Sequence, residues 1–391
     1  MVRECGKNVE DSIGIMNILH ISGYYSPFIG GIETVCKYLV DNMPQHQTSV
    51  MCFNKGRKDS VDVVDGHKVY RAGIFLTVAH QGLSLSYGRM LARAIKEEKP
   101  DVIHYHWAAL VASRVATSVA LVPDKVRLVL HWHMDIIRQR YLYWVVKPLE
   151  TWLLKRAERI VVTSPQYMEF SPALQKFRDK VRVVPNCIDE AALQMRDGDE
   201  DAIREIRNRW NGRPVVLFVG RHTQYKGIDH LIRAEKYMKE DCVILIAGEG
   251  TITEQLKSLS EQCRTSKIHF IGKLSPEDLR HYLHAADVFA FPSVSRNEAF
   301  GIALAEAMYC HTPAVTFTIE GSGVNWVNLN GVTGIEVPQD EMQDCNYAKA
   351  LDVLLQDKEL RGRYADAAHK RVSENFLLKN MLSAMENAYE E

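Results

Sequence analysis

Val215-Val216-Leu217-Phe218-Val219-Gly220-Arg221-His222-Thr223-Gln224-Tyr225-Lys226-Gly227 reads as a short apolar strand, a loop with two cations, and a glycine ahead of a helical pattern. A run that is apolar on both faces, too short for a helix and followed by one, marks a buried parallel strand. The unit recurs on both sides. Upstream, strands are predicted at 17–21, 49–53, 102–106, 126–131, 160–163 and 181–184. After Pro185 the pattern breaks into a charged stretch at 195–209. It restarts at 215–219 and continues at 242–247, 268–272, 288–290 and 314–317, with helical segments between. Ser275-Pro276-Glu277-Asp278 marks one helix start, with a Ser cap, Pro at the first helical position and acids over the positive dipole end. From about residue 351 the chain is polar and helical, with no further strand.

Two consecutive strand–helix series predict two doubly wound α/β domains in tandem, with ligands bound at the carboxyl ends of the strands and a cleft between the domains. The length of 391 residues, with 46% hydrophobic and 25% charged residues, suits two soluble cores. No run approaches the roughly 18–20 apolar residues that span a bilayer. The first fifteen residues carry Glu4, Glu10 and Asp11 and do not read as a secretory signal. Met16 stands just before the first strand, so this leader reads as an alternative start or a tail. Eight cysteines form no C-x-x-C pair, and Cys36, Cys52 and Cys242 sit in apolar stretches. That usage points to reduced core thiols in a cytoplasmic compartment, without a disulfide framework or zinc knuckle. The net charge of −1 hides an asymmetry: residues 1–189 hold 25 Lys+Arg against 18 Asp+Glu, and the remainder 23 against 31. A basic first half facing an acidic surface and chance scatter account for this equally well.

Chemistry concentrates in three places. Tyr24-Tyr25-Ser26-Pro27-Phe28-Ile29-Gly30-Gly31-Ile32-Glu33 follows the first strand, and adjacent glycines opening a helix let backbone N–H groups approach an anion. It is not the G-x-G-x-x-G of a nicotinamide site. In the opening stretch, Arg221 and Lys226 at a strand end suit the two charges of a diphosphate, and a solvated basic loop is the plainer alternative. Asn297-Glu298-Ala299-Phe300-Gly301-Ile302-Ala303-Leu304-Ala305-Glu306 places a helix start between two acids. Were both helical, they would stand about 12 Å apart along the axis. That exceeds the roughly 5–9.5 Å between the carboxyls of a glycosidase pair, and suits instead two hydroxyl-bearing ends of one long ligand.

Together these signals resemble glycosyltransferase family 4, from Met16 to about Pro338. The resemblance implies the GT-B fold, two tandem Rossmann-like doubly wound parallel-sheet domains with a cleft between them. It implies an acceptor domain at 16–187, a nucleotide-sugar donor domain at 188–365, and a helical segment at 366–391 returning to the first domain. It places Glu298 near the hexose and Glu306 at the ribose, Arg221 and Lys226 on the diphosphate, and Gly30 and Gly31 over the donor. The turn Gly248-Glu249-Gly250 falls near the nucleotide and Gly272-Lys273-Leu274 near the base, with Phe300, Gly301 and Ile302 presenting the helix N-terminus. His131-Trp132-His133-Met134-Asp135 resembles the stretch whose histidine reaches the reacting sugar, which makes His133 the choice there, oriented by Asp135. Ala299 and His311 stand where the family often has Gly. The stretch Gly321-Ser322-Gly323-Val324-Asn325-Trp326-Val327-Asn328 is similar to a bacterial subgroup that builds surface polysaccharides.

The expected activity is hexosyl transfer with retention and without metal or other cofactor. The donor is GDP-mannose or a UDP-sugar, and the acceptor a hydroxyl of a glycan or lipid-linked saccharide. A nucleotide-sugar epimerase of similar architecture is one rival. A zinc hydrolase using His104-Tyr105-His106 and His131-Trp132-His133 is the other. Asp197-Gly198-Asp199 looks like a metal-binding D-x-D, but a charged, strandless linker favours a solvated run. Residues 138–159 mix Arg138, Arg140, Lys147, Lys155, Arg156 and Arg159 with Tyr141, Tyr143, Trp144 and Trp152. This composition suits peripheral contact with an anionic membrane at the inner face of the cell, and equally a helix packed in the first domain, with Pro148 interrupting any single helix. Nucleic acid is not an expected partner.

Overall fold

The structure is a computed structural model describing residues 14–28, 30–78, 81–107, 121–133 and 140–390. Its first series of strands is β1 (Asn17–Ile21), β2 (Gln47–Phe53), β3 (Ser60–Val64), β4 (His67–Ala72), β5 (Leu76–Val78), β6 (Gln81–Leu83), β7 (Val102–Trp107), β8 (Arg127–Trp132), β9 (Arg159–Val162) and β10 (Val181–Val183). The second is β11 (Val215–Val219), β12 (Val243–Ala247), β13 (Ile268–Gly272), β14 (Val288–Phe291), β15 (Ala314–Phe317) and β16 (Gly334–Val337).

One sheet has the order β10-β9-β8-β7-β1-β2-β4-β3 and the other β13-β12-β11-β14-β15-β16, while β5 and β6 form a separate hairpin. In the second sheet every pairing is parallel. Its four inner strands, β12, β11, β14 and β15, are buried on both faces, with Val215, Leu217, Ile244, Leu245 and Phe289 among the fully buried residues. That explains why they read as continuous apolar runs rather than alternating ones. In each sheet the first strand is internal: the chain builds outward on one side, then returns to the other. The order therefore reverses between β1 and β7, and again between β11 and β14. Ligands of open α/β sheets bind at such reversals.

The described residues to His106, with 121–130 and 146–158, form one compact unit; Trp107, 131–133, 140–145 and the chain from Arg159 onward form the other. The last helix, Leu378–Glu390, packs against β9. The predicted strands are present with ends shifted by a residue or two, and five more accompany them: β3, β4, β5, β6 and β16. Ser275 caps the helix Pro276–Ala285 as expected, its Oγ accepting from the Asp278 N–H at 3.0 Å. The seven described cysteines are free thiols. Among the described residues no helix is long and apolar enough to cross a membrane.

The structure corrects the reading of Asp197-Gly198-Asp199. Asp199 is 4% exposed and opens the helix Asp199–Arg209. It takes two bonds from Arg280, at 2.7 and 3.0 Å, and lies 2.7 Å from His281 Nε2. The Arg280 bonds hold its carboxyl far below the usual aspartate range. This acid ties the charged linker onto the second sheet's helices instead of lying in solvent.

Candidate active site

The loops after β11 and β14 flank the second reversal, and they are joined to each other. The Val294 N–H donates to the Tyr225 carbonyl at 2.9 Å. Lys226 closes a single 3-10 turn, Gln224–Lys226, whose backbone runs into the helix Ile228–Ala234 through Gly227. That turn delivers the buried Lys226 ammonium to Glu298 Oε2 as a tight ion pair. Ser293 Oγ donates to the same carboxylate oxygen at 3.2 Å, and the ammonium lies 4.9 Å from the Phe291 ring centroid. Arg221, one turn earlier, is exposed. The opening stretch thus supplies one buried cation already matched to a carboxylate and one cation facing solvent.

Glu298 precedes the helix rather than starting it. The helix is Ile302–Tyr309, and Gly301 before it has φ +90°, a left-handed backbone that favours glycine. Among the described residues no side chain caps its first turn, which leaves backbone N–H groups there for an anion. The backbone leading into it is held from outside. Ser322 Oγ donates to the Glu298 carbonyl. The Gly323 N–H and Thr163 Oγ1 each donate to the Ala299 carbonyl at 3.1 Å. The stretch 321–328, noted for its subgroup likeness, thereby acquires a physical task. The Phe300 side chain is 2% exposed and packs edge-on against Phe376 with ring centroids 5.2 Å apart. Only its backbone is left for a ligand.

Glu306 lies eight residues on, half-buried on the same helix. Burial, and secondarily the Asp189 carboxylate, push its acid up to about 7. Gly220, Gly248 and Gly272 meet at the ends of β11, β12 and β13. The Gly220 N–H donates to the Ala247 carbonyl at 3.1 Å, and the Gly248 N–H to the Gly272 carbonyl at 2.7 Å. Gly248 has φ +117°, and a Cβ there would stand 2.0 Å from the Gly220 carbonyl oxygen. Lys273 beyond this turn is exposed and Leu274 half-buried.

His133 is 5% exposed, its N–H bonded to the Trp107 carbonyl at 3.2 Å and its ring stacked on His131 with centroids 4.0 Å apart. Burial holds it down to about 3, so it is a neutral imidazole at physiological pH. Asp135, its predicted orienter, lies outside the described residues. Gly30 and Gly31 open the helix Gly31–Asp41 as expected, again with no side-chain cap. His311 has φ +58°, a left-handed backbone that favours Gly, the residue the resemblance expects there. Ser293, Thr163, Ser322 and Tyr225 were not anticipated as parts of this site. Thr163, Ser322 and Tyr225 carry no local signal, because each acts through a partner distant in sequence, whereas Ser293 acts on Glu298 only five residues on.

Two doubly wound α/β sheets in tandem are the GT-B architecture, and the second carries a cation–carboxylate pair and the start of the helix Ile302–Tyr309 at its reversal. The profile described as "Glycosyltransferase Family 4" matches residues 29–192, and that described as "Glycosyl transferases group 1" matches 199–371. The chain is 30% identical over 368 residues to the D-rhamnosyltransferase WbpZ of Pseudomonas aeruginosa, covering 91% of this chain and 92% of that one. It is 28% identical to the O-antigen chain mannosyltransferase C of Escherichia coli, covering 96% and 98%. Among solved structures, Anabaena HepE in complex with UDP-glucose superposes with TM-score 0.75 at 17% identity, covering 96% of this chain and all of that one. The chain belongs to glycosyltransferase family 4 and is a hexosyltransferase.

Proposed function

We propose that the chain moves a hexose, with retention at the anomeric carbon, from a nucleotide diphosphate sugar to a hydroxyl of a glycan or lipid-linked saccharide in surface polysaccharide synthesis. The observation that carries this reading is the Lys226–Glu298 pair at the second reversal, beside the uncapped start of the helix Ile302–Tyr309. In this scheme Arg221, Lys226 and the N–H groups around Phe300, Gly301 and Ile302 stabilise the leaving diphosphate. Glu298 orients the hexose and Glu306 accepts from ribose hydroxyls. Gly248, Lys273 and Leu274 border the base, Gly30 and Gly31 offer backbone to the donor, and neutral His133 hydrogen-bonds the sugar. The transfer needs no metal or other cofactor in this scheme. Residues 16–187, 188–365 and 366–391 serve as acceptor domain, donor domain and returning segment.

The mannosyl- and rhamnosyltransferase names of the relatives support a hexose of the mannose series, so GDP-mannose is the first donor to test and UDP-sugars the second. A lipid-linked acceptor would place the enzyme in the cytoplasm, at the inner face of the cell membrane. The relatives do not favour the epimerase or hydrolase readings. Incubating donor without acceptor separates the epimerase, which would still convert the sugar. Arg221→Ala tests the assignment directly. One charge-assisted contact contributes roughly 1.5–3 kcal/mol, so kcat/KM should fall about 10- to 150-fold with an unchanged unfolding curve. Unchanged turnover would remove Arg221 from the diphosphate site.

A further inference from the structure

The reversal between β1 and β7 carries a side-chain cluster that hexosyl transfer leaves unused. His20 and His104 are register partners on these strands, and His106 follows two residues on, so all three project from one face. The ring centroids lie 4.9 Å apart for His20 and His104, 5.5 Å for His20 and His106, and 4.5 Å for His104 and His106. The helix Gly31–Asp41 brings Cys36 to this face. His20, Cys36, His104 and His106 are each fully buried. One ring nitrogen from each of His20 and His106, together with Cys36 Sγ, all lie within 4.8 Å of one another. His20 Nδ1 is 3.2 Å from His106 Nε2.

These distances suit a small ion. Zinc bonds of about 2.0–2.3 Å in a tetrahedron set ligand–ligand edges of roughly 3.3–3.6 Å. The His20–His106 edge is already that short, and the sulfur, within 4.8 Å of both nitrogens, has at most about 1.2 Å to close by rotamer adjustment. Polar groups withdrawn from water need partners. A plain imidazole–imidazole hydrogen bond explains the 3.2 Å contact but not the thiol delivered beside it.

We propose that His20, Cys36 and His106 bind one divalent transition-metal ion of the zinc type, with the His104 ring walling the site. The mixed nitrogen and sulfur donors select zinc or cobalt over magnesium or calcium. Loading expels the Cys36 thiol proton to solvent and leaves a thiolate and two neutral imidazoles on the ion. The role is structural: the ion pins the helix that begins at Gly31 to β1 and β7. It is separate from the transfer chemistry and does not depend on the donor assignment.

Cobalt titration of the full chain, after chelator treatment and dialysis, tests this. The expected result is uptake of one equivalent with a thiolate-to-cobalt charge-transfer band that zinc then displaces. Cys36→Ala should lose the band, while Cys52→Ala, which removes a neighbouring buried thiol, should keep it. Absence of the band in the wild-type chain, or its survival in Cys36→Ala, overturns the proposal. The wild-type titration decides alone should Cys36→Ala fail to fold.

Discussion

A double-mutant cycle on Lys226 and Glu298 separates the pair's contribution to folding from its part in transfer. Removing one member of a fully buried ion pair costs about 3–5 kcal/mol, because the other charge is left uncompensated. Both side chains here retain 11% exposure, which lowers that figure. In Lys226→Met the carboxylate keeps the Ser293 donor at 3.2 Å. In Glu298→Gln the ammonium keeps the Phe291 and Tyr225 rings, at 4.9 and 5.5 Å, and cation–π attraction offsets about 0.5–2 kcal/mol. Each single variant should therefore lose about 2–3 kcal/mol. The double variant, with neither charge, should lose only about 1 kcal/mol, since a buried pair roughly breaks even against neutral side chains. Urea unfolding of the four proteins measures the coupling, and turnover with the preferred donor runs alongside. Stability should return in the double variant while transfer stays down about 100-fold. Additive losses within about 0.5 kcal/mol, or wild-type transfer by the double variant, would refute the reasoning.

Glu306 makes stability and donor affinity respond to pH in opposite directions. Its folded value near 7 stands above the ordinary 4.5, so the folded chain keeps a proton that the unfolded chain has released. Its contribution to stability is full below the ordinary value and is lost as pH rises through 7, by about 2–3 kcal/mol. Glu306→Gln should flatten that slope in unfolding curves taken at pH 5 and 8. Donor affinity in the wild-type chain should instead rise across the same window, since the carboxylate is the better acceptor; a pH-independent Kd would exclude Glu306 from the ribose site. Gly248→Ala should cost about 2–4 kcal/mol through its positive φ and the Gly220 carbonyl contact, and it should weaken nucleotide binding. A chemical-denaturation midpoint equal to wild type would show that the backbone there moves freely.

The sequence was most legible where one strand carries its own signal. β1, β11 and β15 stand where their apolar runs predict, because strands buried on both faces need no partner to be recognised. β3 and β4 were missed although a local cue exists. Asp65 and Gly66, with φ of 52° and 89°, form the tight Asp-Gly hairpin turn between them, and β3 is an exposed edge whose alternation is weak. β16 is four residues long and is defined only by its pairing with β15. The acids, cations and glycines were picked out through the family resemblance of their motifs, whereas the residues that hold their backbone could not be. Ser322 reaches Glu298 across 24 positions and Thr163 reaches Ala299 across 136, so nothing near either residue announces the contact.

The Asp199 clamp bears on where this chain can be divided. A fragment beginning at β11 would contain the whole second sheet and the loops between its strands, yet it would strand Arg280, which is 3% exposed, without its carboxylate. The same loss awaits a chimera that joins a foreign first half at any point between Asp199 and Val215. The Arg196 N–H also donates to Asp199, at 2.8 Å, so the severable seam lies upstream of Arg196. The charged linker is thus a structural element of the second half, and it has to travel with that half.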